Sequence, residues 1–373
     1  MDVSGHVRSV DDRRDRLTGV ILGTAVGDAI GLPREGLSGR RAARMFRGPL
    51  RHRFLFGRGM ISDDAEHACM TAQAILGGGG GGGRGGDDDV ARFRRSLAWR
   101  LRGWLLGLPA GVGLATLRSI FKLWIGFPPT RSGVWSAGNG PAMRAAVIGA
   151  AFASDPARRH DFVQASTVLT HRDPRALRGA LLVAHAAATG FASSDGRIDA
   201  ERFIADAMDL AGDDHELLRL LALLAEHHAQ RSTPRQFADA IGCATAVGGY
   251  VYQTVPVCLF CWIRAPSDFR AAVSDVIALG GDTDTTGAIV GGLVGATAGA
   301  ASIPSDWLDG VMEYPRSTRW MRELAERLAN TGDPSAARLA RPLPLAWPAL
   351  LPRNVLFLLT VLIHGVRRVL PPY

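Results

Sequence analysis

The chain has 373 residues, 47% hydrophobic and 21% charged, so it can bury a sizeable core and is not an intrinsically disordered chain. Its formal net charge is +8, yet Lys122 is the only lysine among 43 basic residues, and the arginines are dispersed in pairs along the chain. A polyanion-binding surface needs concentrated charge, so we expect no nucleic-acid partner and keep an arginine-mediated nucleic-acid binder as the minor alternative.

The four cysteines and the N-terminal region favour a cytoplasmic protein, which we expect to be a monomer. Cys69, Cys243, Cys258 and Cys261 are too few and too irregularly spaced for a disulfide-stapled secreted domain, and no export signal precedes the first apolar stretch. Cys258 and Cys261 have the spacing of redox and zinc sites. They lie in an apolar stretch without a second ligand pair, which favours two buried structural thiols.

Hydrophobic periodicity predicts an all-α fold, because apolar residues recur three and four positions apart and no segment alternates as a strand does. The helical segments are 91–106, 175–188, 200–210, 215–229, 234–241 and 319–328. Small oxygen side chains at Asp155, Asp173, Thr233 and Ser305 mark helix starts. Many helices joined by short capped turns predict a compact single domain, an orthogonal multi-helix array.

Two glycine-rich segments need different interpretations. Residues 77–89 are nearly all glycine followed by aspartates, and no lysine with a hydroxyl neighbour follows, so we predict a flexible loop rather than a phosphate cradle. Residues 285–305 are uncharged and long enough to span a bilayer, but glycine and alanine dominate them. We predict a tightly packed, buried helix there.

The composition divides the chain into a lead-in at 1–16, a helical domain at 17–330 and a Pro/Arg-rich, apolar C-terminal extension at 331–373. Within the extension, residues 355–363 are aliphatic and bracketed by arginines. About ten residues do not cross the ~30 Å of bilayer hydrocarbon. The extension is therefore predicted to make at most a peripheral membrane contact or to pack on another subunit.

Two acidic segments carry the candidate chemistry, each at the start of a predicted helix. The first is Ser-Asp-Asp at 62–64 and the second is Gly-Gly-Asp-Thr-Asp-Thr-Thr-Gly at 280–287. Both supply only carboxylate and hydroxyl oxygens, the donors that Mg²⁺ and Mn²⁺ prefer. The candidate metal ligands are Ser62, Asp63, Asp64, Asp282, Asp284 and Thr285.

Each segment alone is also a common helix cap, so its alternative role is structural. Residues 282–286 further fit the Asp-x-Asp-x-Thr nucleophile loop of haloacid-dehalogenase phosphatases, but that loop follows a hydrophobic strand early in an α/β domain, and this one occurs late in a helical chain. The joint occurrence of the two segments favours a cation site, because clustered carboxylates repel each other unless cations neutralise them.

From about residue 17 to residue 328, ordered motifs resemble those of the ADP-ribosylglycohydrolase family, which includes the enzyme that reactivates ADP-ribosylated dinitrogenase reductase. The motifs are Gly-Asp-Ala-Ile-Gly-Leu-Pro-Arg-Glu at 27–35, Ser-Asp-Asp at 62–64, Gly-Asn-Gly-Pro-Ala-Met-Arg at 138–144, Thr-His at 170–171, the stretch 249–256, and 280–287. Six motifs in the family order make a chance match improbable.

The resemblance implies an all-α domain with a binuclear metal cleft, holding two Mg²⁺ (or Mn²⁺) ions and receiving ADP-ribose. Carried over by position, Ser62, Asp63, Asp64, Asp282, Asp284 and Thr285 would bind the ions. Glu35, Asp63 and Asp284 would be catalytic, with Glu35 orienting or deprotonating a water or gating the site. Asn139, Gly140 and His171 would contact the substrate. Alternatives are a turn glutamate for Glu35 and a turn-capping role for His171. We expect Arg144 to pair with a buried acid and Asp28 to be an anchor or a partner of the metal ligands.

The implied function is metal-dependent hydrolysis of the ribose C1″ glycosidic bond in an ADP-ribosylated protein or a small ADP-ribosyl molecule. The alternative is a non-catalytic ADP-ribose or nucleotide-binding protein that uses the same pocket. Ser62 stands where the family has threonine and Ala65 where it often has another hydroxyl, which predicts looser metal geometry without the loss of any carboxylate. The motifs do not choose among linkages or between Mg²⁺ and Mn²⁺.

Overall fold

A computed structural model describes residues 10–78, 87–331 and 341–371 of the chain. About 68% of the protein is helical, and the strands in these three ranges are two residues long, which confirms the predicted all-α class. The helices are α1 (Val10–Gly31), α2 (Gly39–Met45), α3 (Asp63–Gly77), α4 (Asp87–Leu106), α5 (Leu114–Trp124), α6 (Ala145–Ala151), α7 (Pro156–Val168), α8 (Pro174–Ala192), α9 (Ala200–Ala211), α10 (His215–Ala229), α11 (Pro234–Ala240), α12 (Val251–Arg264), α13 (Phe269–Ala278), α14 (Thr283–Ala298), α15 (Ser305–Leu308), α16 (Thr318–Ala329) and α17 (Leu350–Val369).

The helices predicted from periodicity correspond to α4, α8, α9, α10, α11 and α16. The side chains of Asp155, Asp173 and Thr233 each accept a backbone N–H at the start of a helix, as predicted. The predicted cap at Ser305 is wrong. Pro304 occupies the N-cap position of α15, and Ser305 is already the first helical residue, with no side-chain cap bond.

The centre of the fold is the antiparallel pair α1 and α14, whose backbones touch through glycines. A Cβ atom built on Gly27 would lie 2.0 Å from the carbonyl oxygen of Gly287, closer than any side chain tolerates. The paired positions are Gly19 with Gly295, Gly23 with Gly291, and Gly27 with Gly287. Since these glycines recur every four residues on both helices, they form one continuous contact stripe. α14 is buried as predicted.

The predicted helix at 285–305 differs from α14 at both ends. α14 begins two residues earlier and ends at Ala298, because Gly299 has a φ of +76° and breaks the helical path. A short 3₁₀ turn, Ala300–Ser302, follows.

Where the glycine stripe ends, two turns are tied together. Gly31 lies against Thr283, whose hydroxyl donates a 3.0 Å hydrogen bond to the Gly31 carbonyl. The turn after α1 then pairs as β1 (Leu37–Ser38) with β2 (Gly280–Gly281), in antiparallel register. This arrangement brings the segment that carries Glu35 beside the segment that carries Asp282.

The ends of the chain differ from the predicted boundaries. α1 starts at Val10, so part of the predicted lead-in at 1–16 belongs to the core helix, and Arg16 is buried against backbone carbonyls of α8 and α14. The glycine-rich loop predicted at 77–89 is too long at both ends, because Gly77 is the last residue of α3 and residues 87–89 form the first turn of α4. Residues 79–86 lie outside the described residues. The division into three segments otherwise stays a prediction.

The C-terminal extension contains α17, a helix of 20 residues and therefore about 30 Å long. The estimate of about ten residues was too short, because the helix continues on both sides of the aliphatic stretch. Among the described residues, Trp347–Val369 is the one segment long and apolar enough to cross a membrane, with a mean hydropathy of 1.7. α17 packs on the helical domain along its length.

Candidate active site

Two helix N-termini meet at one cleft, and the acidic motifs of the sequence lie on both. α3 begins directly after Ser62, and α14 begins directly after Asp282. Asp28 of α1 holds the start of α3: its buried carboxylate accepts the backbone N–H of Ser62 at 2.8 Å and that of Ala65 at 3.1 Å. Asp28 therefore anchors the turn that presents the first acidic motif.

Asp64 connects the two helices. Its Oδ2 accepts hydrogen bonds from the hydroxyl of Ser62 (3.0 Å) and from the hydroxyl of Thr285 in the first turn of α14 (3.2 Å). The structure thus brings together the residues that the sequence separates by more than 200 positions. All six predicted metal ligands line the same cleft: Ser62, Asp63, Asp64, Asp282, Asp284 and Thr285.

The cleft concentrates negative charge away from water. Desolvation raises the pKa of Asp63, Asp64 and Asp284 well above the usual value for an aspartate, and repulsion from the neighbouring carboxylates raises it further. The Oδ1 atoms of Asp64 and Asp284 are buried and accept no hydrogen bond from the described residues. Buried acceptors without a donor are costly, and a cation bound between them would remove that cost.

The carboxylates do not form a closed cage as they stand. Within the described ranges, no three His, Cys, Asp or Glu side chains converge closely enough to hold an ion. Instead, hydroxyl donors occupy Oδ2 of Asp64, and an amide donor occupies Oδ2 of Asp282. The donor set is nonetheless entirely oxygen, which suits Mg²⁺ or Mn²⁺ and not a thiolate-binding metal.

Glu35 lies at the rim of this cleft, in the turn between α1 and β1. The backbone N–H of Gly36 donates a 2.7 Å hydrogen bond to the Gly281 carbonyl, so the turn is attached to the residue before Asp282. Although the Glu35 side chain reaches solvent, partial desolvation and the charge of Asp282 raise its pKa, and Arg368 lowers it. Glu35 thus faces the acidic cluster from the solvent side.

Asn139 acts on Asp282. Its side-chain amide donates hydrogen bonds to Asp282 Oδ2 at 2.6 Å and to the Thr254 hydroxyl at 3.0 Å. Because Thr254 in turn donates to the Gly248 carbonyl, the motif at 249–256 is connected to the acidic cluster through Asn139. Asn139 therefore orients a predicted metal ligand as well as lining the cleft.

His171 lines the cleft beside Gly138 and Gly140, and its environment fixes its protonation state. Burial and the nearby charge of Arg144 lower its pKa to about 3, so the ring is neutral at physiological pH. Arg144 donates to the Thr170 hydroxyl oxygen at 2.8 Å, which directs that hydroxyl proton to His171 Nδ1, 2.9 Å away. The tautomer assigned by this chain of contacts carries its proton on Nε2, beside Gly138.

Arg144 itself differs from the prediction of an ion pair with a buried acid. Its fully buried guanidinium contacts neutral groups, namely the Ser166 hydroxyl and carbonyl, the Thr170 hydroxyl and a ring nitrogen of His67. Burial lowers the Arg144 pKa to about 10, and the charge of Asp63 raises it. Arg144 is therefore a positioning residue for the Thr-His motif.

The cleft has a volume of about 440 Å³, within the range of small-molecule sites. Two parts of its lining were not predicted from the sequence. One is the loop after α4 that contains Gly111 and Gly113, and the recurrence of glycine there is the signal that the sequence offers. The other is α17, which contributes Phe357 and Val361 and lies far outside the motif region.

The predicted structural role of Cys258 and Cys261 agrees with their position in α12. Both thiols are fully buried, and burial raises the pKa of each above the usual value for a cysteine. A buried, protonated thiol is a poor nucleophile and a poor metal ligand.

The protein is thus an all-α domain with an acidic cleft between two helix N-termini. The chain belongs to the ADP-ribosylglycohydrolase family, whose sequence profile matches residues 9–337. An ADP-ribosyl-dinitrogen reductase glycohydrolase of Rhodospirillum rubrum is 27% identical over 327 residues, which cover 85% of this chain and 97% of that one. Human ADP-ribosylhydrolase ARH3 is 29% identical over 214 residues, covering 50% of this chain and 58% of its own.

Two further comparisons cover most of the chain. A protein of Archaeoglobus fulgidus without a functional name is 28% identical over 331 residues, which cover 84% of this chain and 96% of that one. A solved structure described as an ADP-ribosylglycohydrolase-related protein complex superposes with a TM-score of 0.64 at 25% identity, covering 86% of this chain and 99% of that chain. The resemblance found in the motifs is confirmed, and the protein is an enzyme that hydrolyses glycosyl bonds.

Proposed function

We propose that the enzyme cleaves the bond between the ribose C1″ of ADP-ribose and a protein side chain or a small molecule, with two Mg²⁺ or Mn²⁺ ions in the acidic cleft. The observation that carries this proposal is the convergence of the α3 and α14 N-termini around unpartnered buried carboxylate oxygens. The names of the relatives support the same substrate class.

The residues of the cleft fit such ions. Asp64 and Asp284 each have a buried oxygen that accepts no hydrogen bond from the described part of the chain, and Asp63 and Asp282 add carboxylates from the two sides of the cleft. When bound, divalent ions supply Lewis-acid stabilisation and hold the ribose diol and a water in position. Ser62 and Thr285 would complete the donor set once their hydroxyls turn from Asp64 toward an ion.

Other residues of the cleft bind and orient. Glu35 reaches the acidic cluster from the rim, where its carboxylate can accept a proton from a water. Asn139 fixes the orientation of Asp282. His171 presents Nε2–H as a donor for an oxygen of the substrate, and Gly138 and Gly140 leave room for the ring to do so.

A panel of defined ADP-ribosyl conjugates tests the proposed function. Arginine-linked, serine-linked and acetyl-linked ADP-ribose would be incubated with the full chain in Mg²⁺, Mn²⁺ or EDTA, and released ADP-ribose quantified by mass spectrometry. We expect release from at least one conjugate with a divalent ion and none in EDTA. Tight calorimetric binding of ADP-ribose without release from any conjugate would overturn the proposal and favour a binding protein.

Replacing Gly140 with alanine should weaken substrate binding. A Cβ on Gly140 would lie 3.0 Å from Cε1 of the His171 ring, so the ring must shift away from its donor position. We expect KM to rise about tenfold while kcat changes much less.

The matched control is Gly103→Ala, at a helical glycine outside the cleft. No atom of the described residues lies within 4 Å of a Cβ at Gly103, so its KM should stay near the wild-type value. Equal effects of the two substitutions would contradict the role given to His171. Steady-state kinetics on the best conjugate of the panel makes the comparison.

A further inference from the structure

The feature that the proposed function leaves unexplained is the polarity of α17. Its inward face is the more polar one and contains Arg353, Asn354, Thr360 and His364, all at least half-buried. Its outward face is apolar and exposed at Leu351, Val355, Leu356, Leu358, Leu359, Leu362, Ile363, Val366 and Val369. This is the reverse of the arrangement that water favours for a helix on a protein surface.

Polar contacts hold the inward face of α17 on the domain from one end to the other. Arg353 makes two hydrogen bonds with Glu313, at 2.7 and 2.9 Å. Further along the helix, Asn354 donates to the Gly107 carbonyl at 2.6 Å, and the His364 ring contacts the Phe54 carbonyl at 2.8 Å. These contacts lay the helix flat, so its apolar face points away from the protein over about 30 Å.

Segments that contact α17 extend the same apolar surface. Gly107, which accepts the bond from Asn354, is flanked by exposed Leu106 and Leu108. On the other side, the ring of Phe54 packs on α17, and two residues later Phe56 is fully exposed at the tip of a tight turn. The exposed patch is therefore wider than one helix.

Basic residues border this patch at the C-terminal end of α17. Arg51 and Arg53 line one cavity together with Phe56, and Arg367 lies in the last turn of α17. The charges of Arg51 and Arg367 both lower the pKa of Arg53, after the larger effect of desolvation, which agrees with this placement. None of the three forms an ion pair with an acid of the described residues. An apolar helical face beside unneutralised arginines is the pattern that binds an anionic bilayer.

We propose that α17 and the Phe56 turn dock the enzyme on the surface of an anionic membrane, with the helix lying in the plane of the interface. The inward face of the same helix contributes Phe357 and Val361 to the cleft. The membrane-facing side of α17 and the active site therefore lie on opposite faces of one helix. A spanning orientation would break the contacts of Arg353, Asn354 and His364 with the domain. The flat orientation keeps all of them and buries the apolar face.

Vesicle sedimentation of the full chain tests the proposal. Vesicles of phosphatidylcholine with about 30% phosphatidylglycerol should pellet the protein, and pure phosphatidylcholine vesicles should pellet much less of it. Leu359→Glu combined with Ile363→Glu should lower the anionic-vesicle partition at least about tenfold. Arg51→Glu should lower it about fivefold or more and weaken its dependence on salt.

The control Leu210→Glu changes an exposed leucine of α9, away from the patch, and should leave vesicle binding intact. Hydrolysis of a soluble conjugate would be measured for every variant. Because this assay needs no membrane, it tests correct folding and the proposed function independently of membrane docking. Absence of anionic-vesicle binding, or binding that survives the Leu359 and Ile363 substitutions, would overturn the proposal. If those substitutions instead abolished a dimer seen by light scattering, the face would belong to a second copy and the membrane proposal would fail.

Discussion

Asp64→Asn should lower kcat by about 10³-fold or more, at saturating Mg²⁺ or Mn²⁺. Asparagine keeps the size of the side chain and can still accept the hydroxyls of Ser62 and Thr285. It removes the negative charge from the one carboxylate that contacts both helices of the site. Undiminished hydrolysis by this variant, or by Asp282→Ala, would rule out the two-metal mechanism.

Although Asp64→Asn should lower activity, it should not lower the stability of the protein when no cation is present. Burial and mutual repulsion raise the pKa of these aspartates in the folded state, so the native protein binds more protons than the unfolded chain. The free energy of unfolding must then fall as pH rises above about 4, the usual value for an unfolded aspartate, until the carboxyls ionise. In EDTA, Asp64→Asn should be at least as stable as the wild type at neutral pH and show a shallower fall.

Thermal unfolding in EDTA and in Mn²⁺, at several pH values, measures both effects. Added Mn²⁺ should raise the midpoint of the wild type more than that of Asp64→Asn. The control is Asp213→Asn, which removes an exposed carboxylate whose one ion pair within the described ranges is with Arg178, and it should change neither activity nor the Mn²⁺ response. If Asp64→Asn is inactive and is also less stable than the wild type in EDTA, the role of Asp64 is structural.

Gly27→Ala should destabilise the protein by at least about 3 kcal/mol, because the added methyl group must occupy the space of the Gly287 carbonyl. The backbones of α1 and α14 would have to separate, and the separation would spread along the other glycine pairs. Since Glu35 follows α1 and Asp282 directly precedes α14, activity should fall together with stability. Urea unfolding followed by far-UV circular dichroism measures the loss.

Gly103→Ala is the matched control for this prediction. Gly103 is also a helical glycine, in α4, but a Cβ there would meet nothing within 4 Å. Alanine has the higher helix propensity and restricts the unfolded chain, so this substitution should stabilise by about 0.5–1 kcal/mol. Similar destabilisation by both alanines would mean that helix packing through glycine does not govern the stability of α1 and α14.

Local rules predict many helices of this fold because the information for those helices is local. Periodicity identified α4, α8, α9, α10, α11 and α16, and a side-chain oxygen before a proline identified the starts of α7, α8 and α11. The failure at Ser305 has the same origin, because the hydroxyl satisfied the pattern but Pro304 took the capping position. Periodicity does not predict a helix end that depends on a single backbone angle, such as the φ of Gly299.

The residues that make up the site could be predicted from the sequence, but most contacts between them could not. The motifs named the carboxylates and hydroxyls that meet at Asp64, because each motif marks the N-terminus of a helix. They did not predict that Asn139 would hold Asp282, or that Arg144 would face neutral groups. Those partners depend on how α6, α7 and α12 pack. The spacing of residues in a single chain does not determine that packing.

The glycines of α1 and α14 illustrate the same limit. Their four-residue spacing is readable in the sequence, and the Gly/Ala-rich composition of residues 285–305 correctly favoured a tightly packed helix there. Which helix packs against which is not readable, since no residue of α1 specifies Gly287 as its neighbour. The polarity of α17 is a similar case, because a polar inward face becomes apparent only once the surface beneath it is known.

The family profile ends at residue 337, whereas the helix that contributes Phe357 and Val361 to the cleft begins at Leu350. The groups for bond cleavage and part of the surface that admits the substrate are thus encoded in separate stretches of the gene. A substitution in α17 can therefore change that surface without changing a residue of the family motifs. The names of the relatives support the class of reaction and of substrate, and the contribution of α17 to selectivity has to be measured on this chain.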